Sequence, residues 1–355
     1  MRILAILTLR NEAAFLLEWL AHHRACGITD FLVFSNNCQD GTDAMLDRLQ
    51  AMGQLTHIRN DGPHDKGGIQ FTALKQAAGL EITRRADWIL PLDVDEFVNI
   101  HVGARRIPDL LAALPEATAI TLTWRLFGNA GQIHYDDRPV TEIFTRAAPE
   151  VIHWPWRAAM FKTLYRNDGI YAKPGVHRPR APAPDRLDSA RWFDGHGREL
   201  DAAFRSGRIF SPYGRPNFGL AQLNHYPLGA MESYVLKADR GRAVHDADML
   251  DVDYWVDRNF NTDEDRSIAA LAPRMQAARA ELLADATLAR LHAAAVAWRK
   301  ARFTELMGSE PFRALFGRLL MTGPTRPLPP EAARFMVHHA NLARARREAE
   351  ARPEK

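Results

Sequence analysis

The first hundred residues alternate unbroken apolar runs with segments whose apolar residues recur every three or four positions. ILAILTL (3–9), FLVFS (31–35) and DWILPL (87–92) are too short for stable helices and too uniformly apolar for one-sided strands, so they predict strands buried on both faces. QLTHIR (54–59) predicts another strand. Between them, Glu12, Phe15, Leu16, Trp19, Leu20 and His23 lie at helical spacing from an Asn11 cap to Cys26-Gly27. DGTDAMLDRLQAMG (40–53) predicts a second capped helix, and a third covers about 69–83. Strand–helix alternation implies parallel strands joined by crossovers, with helices on both faces of the sheet.

The middle of the chain is less regular. TAITLTWRLFG (118–128), RAAMFKTLYR (157–166) and GLAQLNHYP (219–227) predict further strands, separated by the Pro-rich basic stretch KPGVHRPRAPAPD (173–185). From about 229 the sequence turns helical and rich in Ala and Arg, most clearly over 283–307, and it ends in a basic amphipathic stretch. The expected division is 1–242 as an α/β domain and 243–355 as a helical region.

Composition narrows the function classes. A net charge of +3 on 355 residues gives no electrostatic footprint for nucleic acid. Two cysteines, Cys26 and Cys38, form no metal-type pair and point to a reducing compartment. Arg2 followed by seven apolar or small residues resembles the start of a signal peptide, but the run ends at Arg10 and Glu12 without a cleavage site, so a first strand is the better reading. No run approaches the ~18 apolar residues of a membrane span. The expectation is a cytoplasmic protein, with peripheral association at the inner membrane face as its variant.

The chemistry concentrates at strand ends. Arg10-Asn11-Glu12, Ser35-Asn36-Asn37, the loop before Lys66, and Asp93-Asp95-Glu96 all follow predicted strands. That is the edge of an α/β sheet where ligands bind. Three carboxylates in four positions repel one another unless a positive centre intervenes. A divalent cation with oxygen preference, Mn2+ or Mg2+, bound together with a diphosphate would supply that centre.

The opening RNEAAFLLEWLAHHRACGI, the segment FSNNCQDGT, the strand end LPLDVDEF and the later NHYPLGAMESYVLKADRGR, in that order, resemble a family 2-type glycosyltransferase of the GT-A fold. More narrowly they are similar to a bacterial branch marked by DVDEF and a His-Tyr pair, over about residues 1–242. The resemblance implies an α/β fold with a mostly parallel sheet flanked by helices and a C-terminal helical extension. It implies an inverting transfer of a sugar from a nucleoside-diphosphate donor, UDP-linked by expectation, to a hydroxyl of a glycan or glycoconjugate, in bacterial surface polysaccharide or glycoconjugate synthesis. Asp95 would bind the metal, with Asp93 beside it on the metal or the donor ribose and His225 completing the shell. Asn11, Glu12, Asn36, Asp40 and Lys66 would line the nucleotide, and Lys237 and Arg240 would stand by the diphosphate. Asp194 is the candidate general base, with His196 second. Two other readings stand beside this one. In the first, a haloacid-dehalogenase-like phosphotransferase uses Asp93 as nucleophile, although its D-x-D belongs on a first strand. In the second, the chain is a nucleotide-sugar-binding module without turnover.

Overall fold

The apolar runs form strands because both of their faces are covered. In the computed structural model, which describes residues 1–64, 67–241 and 250–350, Ile3, Ala5, Leu7 and Leu9 of β1 (Ile3–Leu9) enter one core, while Leu4 and Ile6 enter a second core on the opposite face. The period of two divides β2 (Asp30–Ser35) and β4 (Trp88–Leu92) in the same way. The first core is closed by α1 (Ala13–Ala25) and α2 (Thr42–Ala51), and the second by α3 (Ile69–Ala78). The single helix expected over 69–83 breaks at Gly79, and a short α4 (Glu81–Arg84) follows.

β1, β2, β3 (Thr56–Arg59) and β4 pair in parallel in the order β3-β2-β1-β4. Beyond β4 the sheet becomes mixed. β5 (Glu96–Ile100) and α5 (Ile107–Ala113) precede β6 (Ala119–Leu126), and α6 (Val140–Ile143) and β7 (Arg146–Ala147) precede β8 (Phe161–Arg166). The Pro-rich basic stretch carries part of a small hairpin, β9 (Tyr171–Lys173) with β10 (Arg180–Pro182). Then come β11 (Trp192–Asp194), α7 (Ala203–Ser206), β12 (Ala221–His225) and α8 (Met231–Arg240). The nine-stranded sheet runs β3-β2-β1-β4-β8-β6-β12-β5, with β11 on β6. β8 is antiparallel to β4 and β6, and β5 is antiparallel to β12. The α/β class and the mostly parallel sheet are the expected ones: parallel pairing returns in the second half, where β6 pairs in parallel with both β11 and β12.

The acidic run does not form one solvated turn. Glu96 opens β5 opposite His225 and is fully buried. Strand order reverses between β1 and β4, and this is where an open α/β sheet leaves a crevice.

The C-terminal region continues with α9 (Val252–Val256), β13 (Asp263–Glu264), α10 (Ala272–Leu283), α11 (Ala286–Leu306), α12 (Glu310–Met321) and α13 (Pro330–Glu350). Met275, Leu282, Leu288 and Ala295 of α10 and α11 join the same core as α1 and the sheet. No helix among the described residues is long and apolar enough to cross a membrane.

Candidate active site

At the end of β4, Asp93 and Glu96 close a tight turn. The Asp93 amide donates to Glu96 Oε2 (2.8 Å), and the Glu96 amide to the Asp93 carbonyl (3.1 Å). The three carboxylates then separate onto different cations. Lys162 of β8 places Nζ 2.9 Å from Asp93 Oδ2 and 3.6 Å from Glu96 Oε2. Gln70 donates to Asp93 Oδ1 (3.0 Å), and Trp124 Nε1–H donates to Glu96 Oε1 (2.6 Å). Asp95 faces the other way. Lys237 of α8 donates to its Oδ2 (2.8 Å) and to the Pro227 carbonyl (2.7 Å), while His225 Nε2 stands 3.6 Å from Oδ1. The His225 ring lies against Trp124, with centroids 4.3 Å apart.

The electrostatics follow from this partition. Burial alone would raise Asp95, but the charge of Lys237 and the neighbouring His225 ring hold it well below the usual carboxylate range. Burial pushes Glu96 well above that range despite the charge of Lys162. Burial lowers His225 below the ordinary imidazole value even beside Asp95, so the ring is biased neutral. His177, in edge contact with Trp124, is lowered to about 4 by burial and by Lys162.

A second cluster forms where β1 and β2 end. Asn11 adopts a left-handed backbone (φ 54°), a conformation Asn tolerates, and its Oδ1 accepts from the Gln39 amide. Asn11 is therefore not the cap of α1. That role is supplied from the next loop, where Asp40 Oδ2 accepts from the Ala13 amide (2.9 Å) and Thr42 Oγ1 from the Glu12 amide (3.1 Å). The other Asp40 oxygen accepts from the Thr42 amide and hydroxyl. Glu12 is ion-paired with Arg240, which also donates to the Arg10 carbonyl. Asn36 is buried, and its Nδ2 has no partner among the described residues.

Asn11, Glu12, Asp95, Lys237 and Arg240 line one cavity of about 920 Å³, its open mouth included. Asp93, Asn36 and Asp40 lie at the same strand ends outside that lining. Lys66 falls outside the described residues. Asp194 is not brought to the acidic turn. It pairs in register with Thr121, five positions before Leu126, the β6 residue beside His225, which is about 16 Å along the strand. Its buried carboxylate is held by Arg198 and lies 3.6 Å from Arg215, and it organises the turn that presents the exposed His196. Lys162 went unnoticed in the sequence, although a lone Lys inside the apolar run AAMFKTLYR is a signal for a buried counter-ion.

The carboxylates and cations of two strand ends and one helix thus converge beside a large cavity at the reversal point of an α/β sheet. Residues 4–180 match the family model of Glycosyltransferase family 92, which places this segment in the glycosyltransferase class. The family differs from the family 2-type expected from the motifs. A glycosyltransferase family 92 protein of Oryza sativa subsp. japonica is 27% identical over 150 residues, covering 40% of this chain and 24% of that protein. One of Ricinus communis is 30% identical over 97 residues, covering 27% and 16%. Both are plant proteins rather than members of a bacterial branch, and the matches span about a quarter or less of their length. Among solved structures, residues 1–349 of S. aureus TarS in complex with UDP-GlcNAc align at 15% identity and a TM-score of 0.33, covering 78% of this chain and 72% of that one. Glucosyl-3-phosphoglycerate synthase from Mycobacterium tuberculosis, with Mn2+ and UDP, aligns at 17% identity and a TM-score of 0.25, covering 35% and 44%.

Proposed function

We propose that the protein transfers a sugar from a nucleoside-diphosphate donor, UDP-linked, to a hydroxyl of a glycan or glycoconjugate in a single inverting displacement. The observation that carries this reading is the placement of Asp95 between His225 and Lys237, on the wall of the cavity that Arg240 and Glu12 also line. The match of residues 4–180 to a glycosyltransferase family supports it.

The residues fit a divalent cation held with help from the substrate. Asp95 Oδ1 and His225 Nε2, 3.6 Å apart, can reach one ion by bonds of ~2.1 Å each. A neutral imidazole is the ligating form, and His225 Nδ1 is buried without a hydrogen-bond partner among the described residues. No group of three His, Cys, Asp or Glu side chains that could hold a metal ion forms among the described residues, so an Mn2+ or Mg2+ held by Asp95 and His225 would need substrate oxygens and water as its further ligands. Such an ion, when bound, neutralises charge on the departing diphosphate. Lys237 and Arg240 add fixed positive charge on the same side, and Asn36 offers the nucleotide a side-chain Nδ2 that has no partner among the described residues. Bacterial surface polysaccharide or glycoconjugate synthesis is the setting we infer, from the DVDEF and His-Tyr resemblance alone. The phosphotransferase reading gains no support, because Asp93 follows the fourth strand rather than the first and both its oxygens are engaged.

The test is turnover of UDP-sugars by an Asp95→Ala variant whose melting temperature and circular dichroism match the wild type. A loss of at least ~10²–10³ in rate is expected, the scale of removing one charge-stabilising group. Wild-type rates in that variant would remove the site. Equal UDP affinity in chelator and in manganese would remove the metal from the reading.

A further inference from the structure

Among the described residues, the pairing of charges around the cavity leaves one lining cation over. Lys237 is matched by Asp95 and Arg240 by Glu12. Arg299, in α11, lines the same cavity and is only 6% exposed, and its guanidinium has no hydrogen bond or ion pair with any described residue. Its guanidinium lies over the rings of Phe15 (4.5 Å) and Tyr135 (5.0 Å). Glu12, whose charge acts on it most strongly, is already held by Arg240.

The balance of energies is unfavourable without a ligand. Taking a cation out of water costs several kcal/mol when no anion accompanies it, whereas a cation–π contact returns about 0.5–2 kcal/mol. A planar fork of N–H donors set against two mutually perpendicular rings, and without an acceptor among the described residues, is also a group suited to binding phosphate oxygens in pairs.

We propose that Arg299 is an anion receptor of this cavity, and that its ligand carries a phosphate-type anion on an apolar or planar body. The neighbouring Phe15, Tyr135 and Trp298 supply the surface for that body. This rests on the nucleotide-sugar reading of the same cavity and adds to it a contribution from the C-terminal helices, outside the segment 4–180. The anion has two possible sources, the donor diphosphate and a phosphate on the acceptor.

The experiment uses the full chain as wild type, Arg299→Met and Arg299→Lys, in chelator, with inorganic pyrophosphate, UDP and decyl phosphate as probes. Binding is read by calorimetry and by the shift in melting temperature. Wild type should bind pyrophosphate and at least one of the other two, and Arg299→Met should bind them at least tenfold more weakly. Arg299→Lys, which keeps the charge but not the fork, should fall between. Ligand-free Arg299→Met should melt at or above the wild-type temperature, because an unaccompanied charge has been removed. A loss confined to UDP and pyrophosphate assigns the donor; a loss confined to decyl phosphate and pyrophosphate assigns the acceptor. The proposal is overturned if wild type binds none of the probes. It is also overturned if Arg299→Met binds them as wild type does, or if Arg299→Met melts lower with binding unchanged, which would mark a packing role. Absence of sugar transfer with probe binding intact would sink the glycosyltransferase reading and leave the receptor standing.

Discussion

Replacing Lys162 by Met keeps the side-chain stem and removes the ammonium from between Asp93 and Glu96. The two carboxylates feel the loss unequally. Asp93 is 35% exposed and regains water, so its share is screened to below about 1 kcal/mol. Glu96 is fully enclosed and fixed by Trp124 and the Asp93 amide. Its attraction to a cation 3.6 Å away is roughly 4–5 kcal/mol at an effective dielectric of about 20. Met avoids the cost of burying the ammonium, which offsets part of this, and the net loss reaches ~3–5 kcal/mol where Glu96 is ionised. The sign of the pH dependence is fixed. Burial already holds Glu96 above its ordinary value of 4.5, and losing Lys162 raises it further. A carboxyl with a raised folded pKa contributes stability that is complete below about 4.5 and is lost as pH rises. The penalty of Lys162→Met should therefore grow from pH 5 to pH 8. Urea unfolding followed by circular dichroism at both pH values measures it, as a shift in midpoint at constant slope. A penalty under about 1 kcal/mol that does not change with pH would refute the counter-ion assignment.

Three other outcomes follow from particular contacts. His22, buried and donating to the Val98 carbonyl, is lowered to about 4, so stability should hold above pH 6.5 and fall as pH drops, by roughly 3 kcal/mol in full. His22→Gln should flatten that slope in urea titrations at pH 7 and pH 5. Gly128→Ala would set a Cβ 2.4 Å from the Phe260 carbonyl, so a drop in melting temperature equivalent to ~1–3 kcal/mol is expected; an unchanged melting curve would contradict that packing. Trp124→Phe strips the N–H from Glu96 Oε1 and should destabilise by about 1–3 kcal/mol, an effect that Glu96→Gln in the same chain should reduce.

Local pattern alone determined the first half of the sheet. β1, β2 and β4 are short runs with apolar residues on both faces, and each crossover helix is marked by its own period, so the alternation, the parallel pairing and the edge that collects polar residues follow from nearest neighbours in the chain. Asp93 and Asp95 were legible for the same reason, as carboxylates that end a buried strand. What the carboxylates face was not legible. Lys162, His225 and Lys237 come from β8, β12 and α8, and His225 lies about 130 positions from Asp95. β5 and its buried Glu96 were missed because a strand paired only with a distant partner leaves no local signature beyond its apolar residues. The Asn11 cap misled because Asp40 and Thr42 reach across from another loop to the same amides. Charge pairing and burial depend on which surfaces meet, and the chain's order does not encode that until it folds. The separation of three neighbouring carboxylates onto two lysines, and the placing of Arg299 in the cavity wall without an anion among the described residues, were decided by tertiary structure alone.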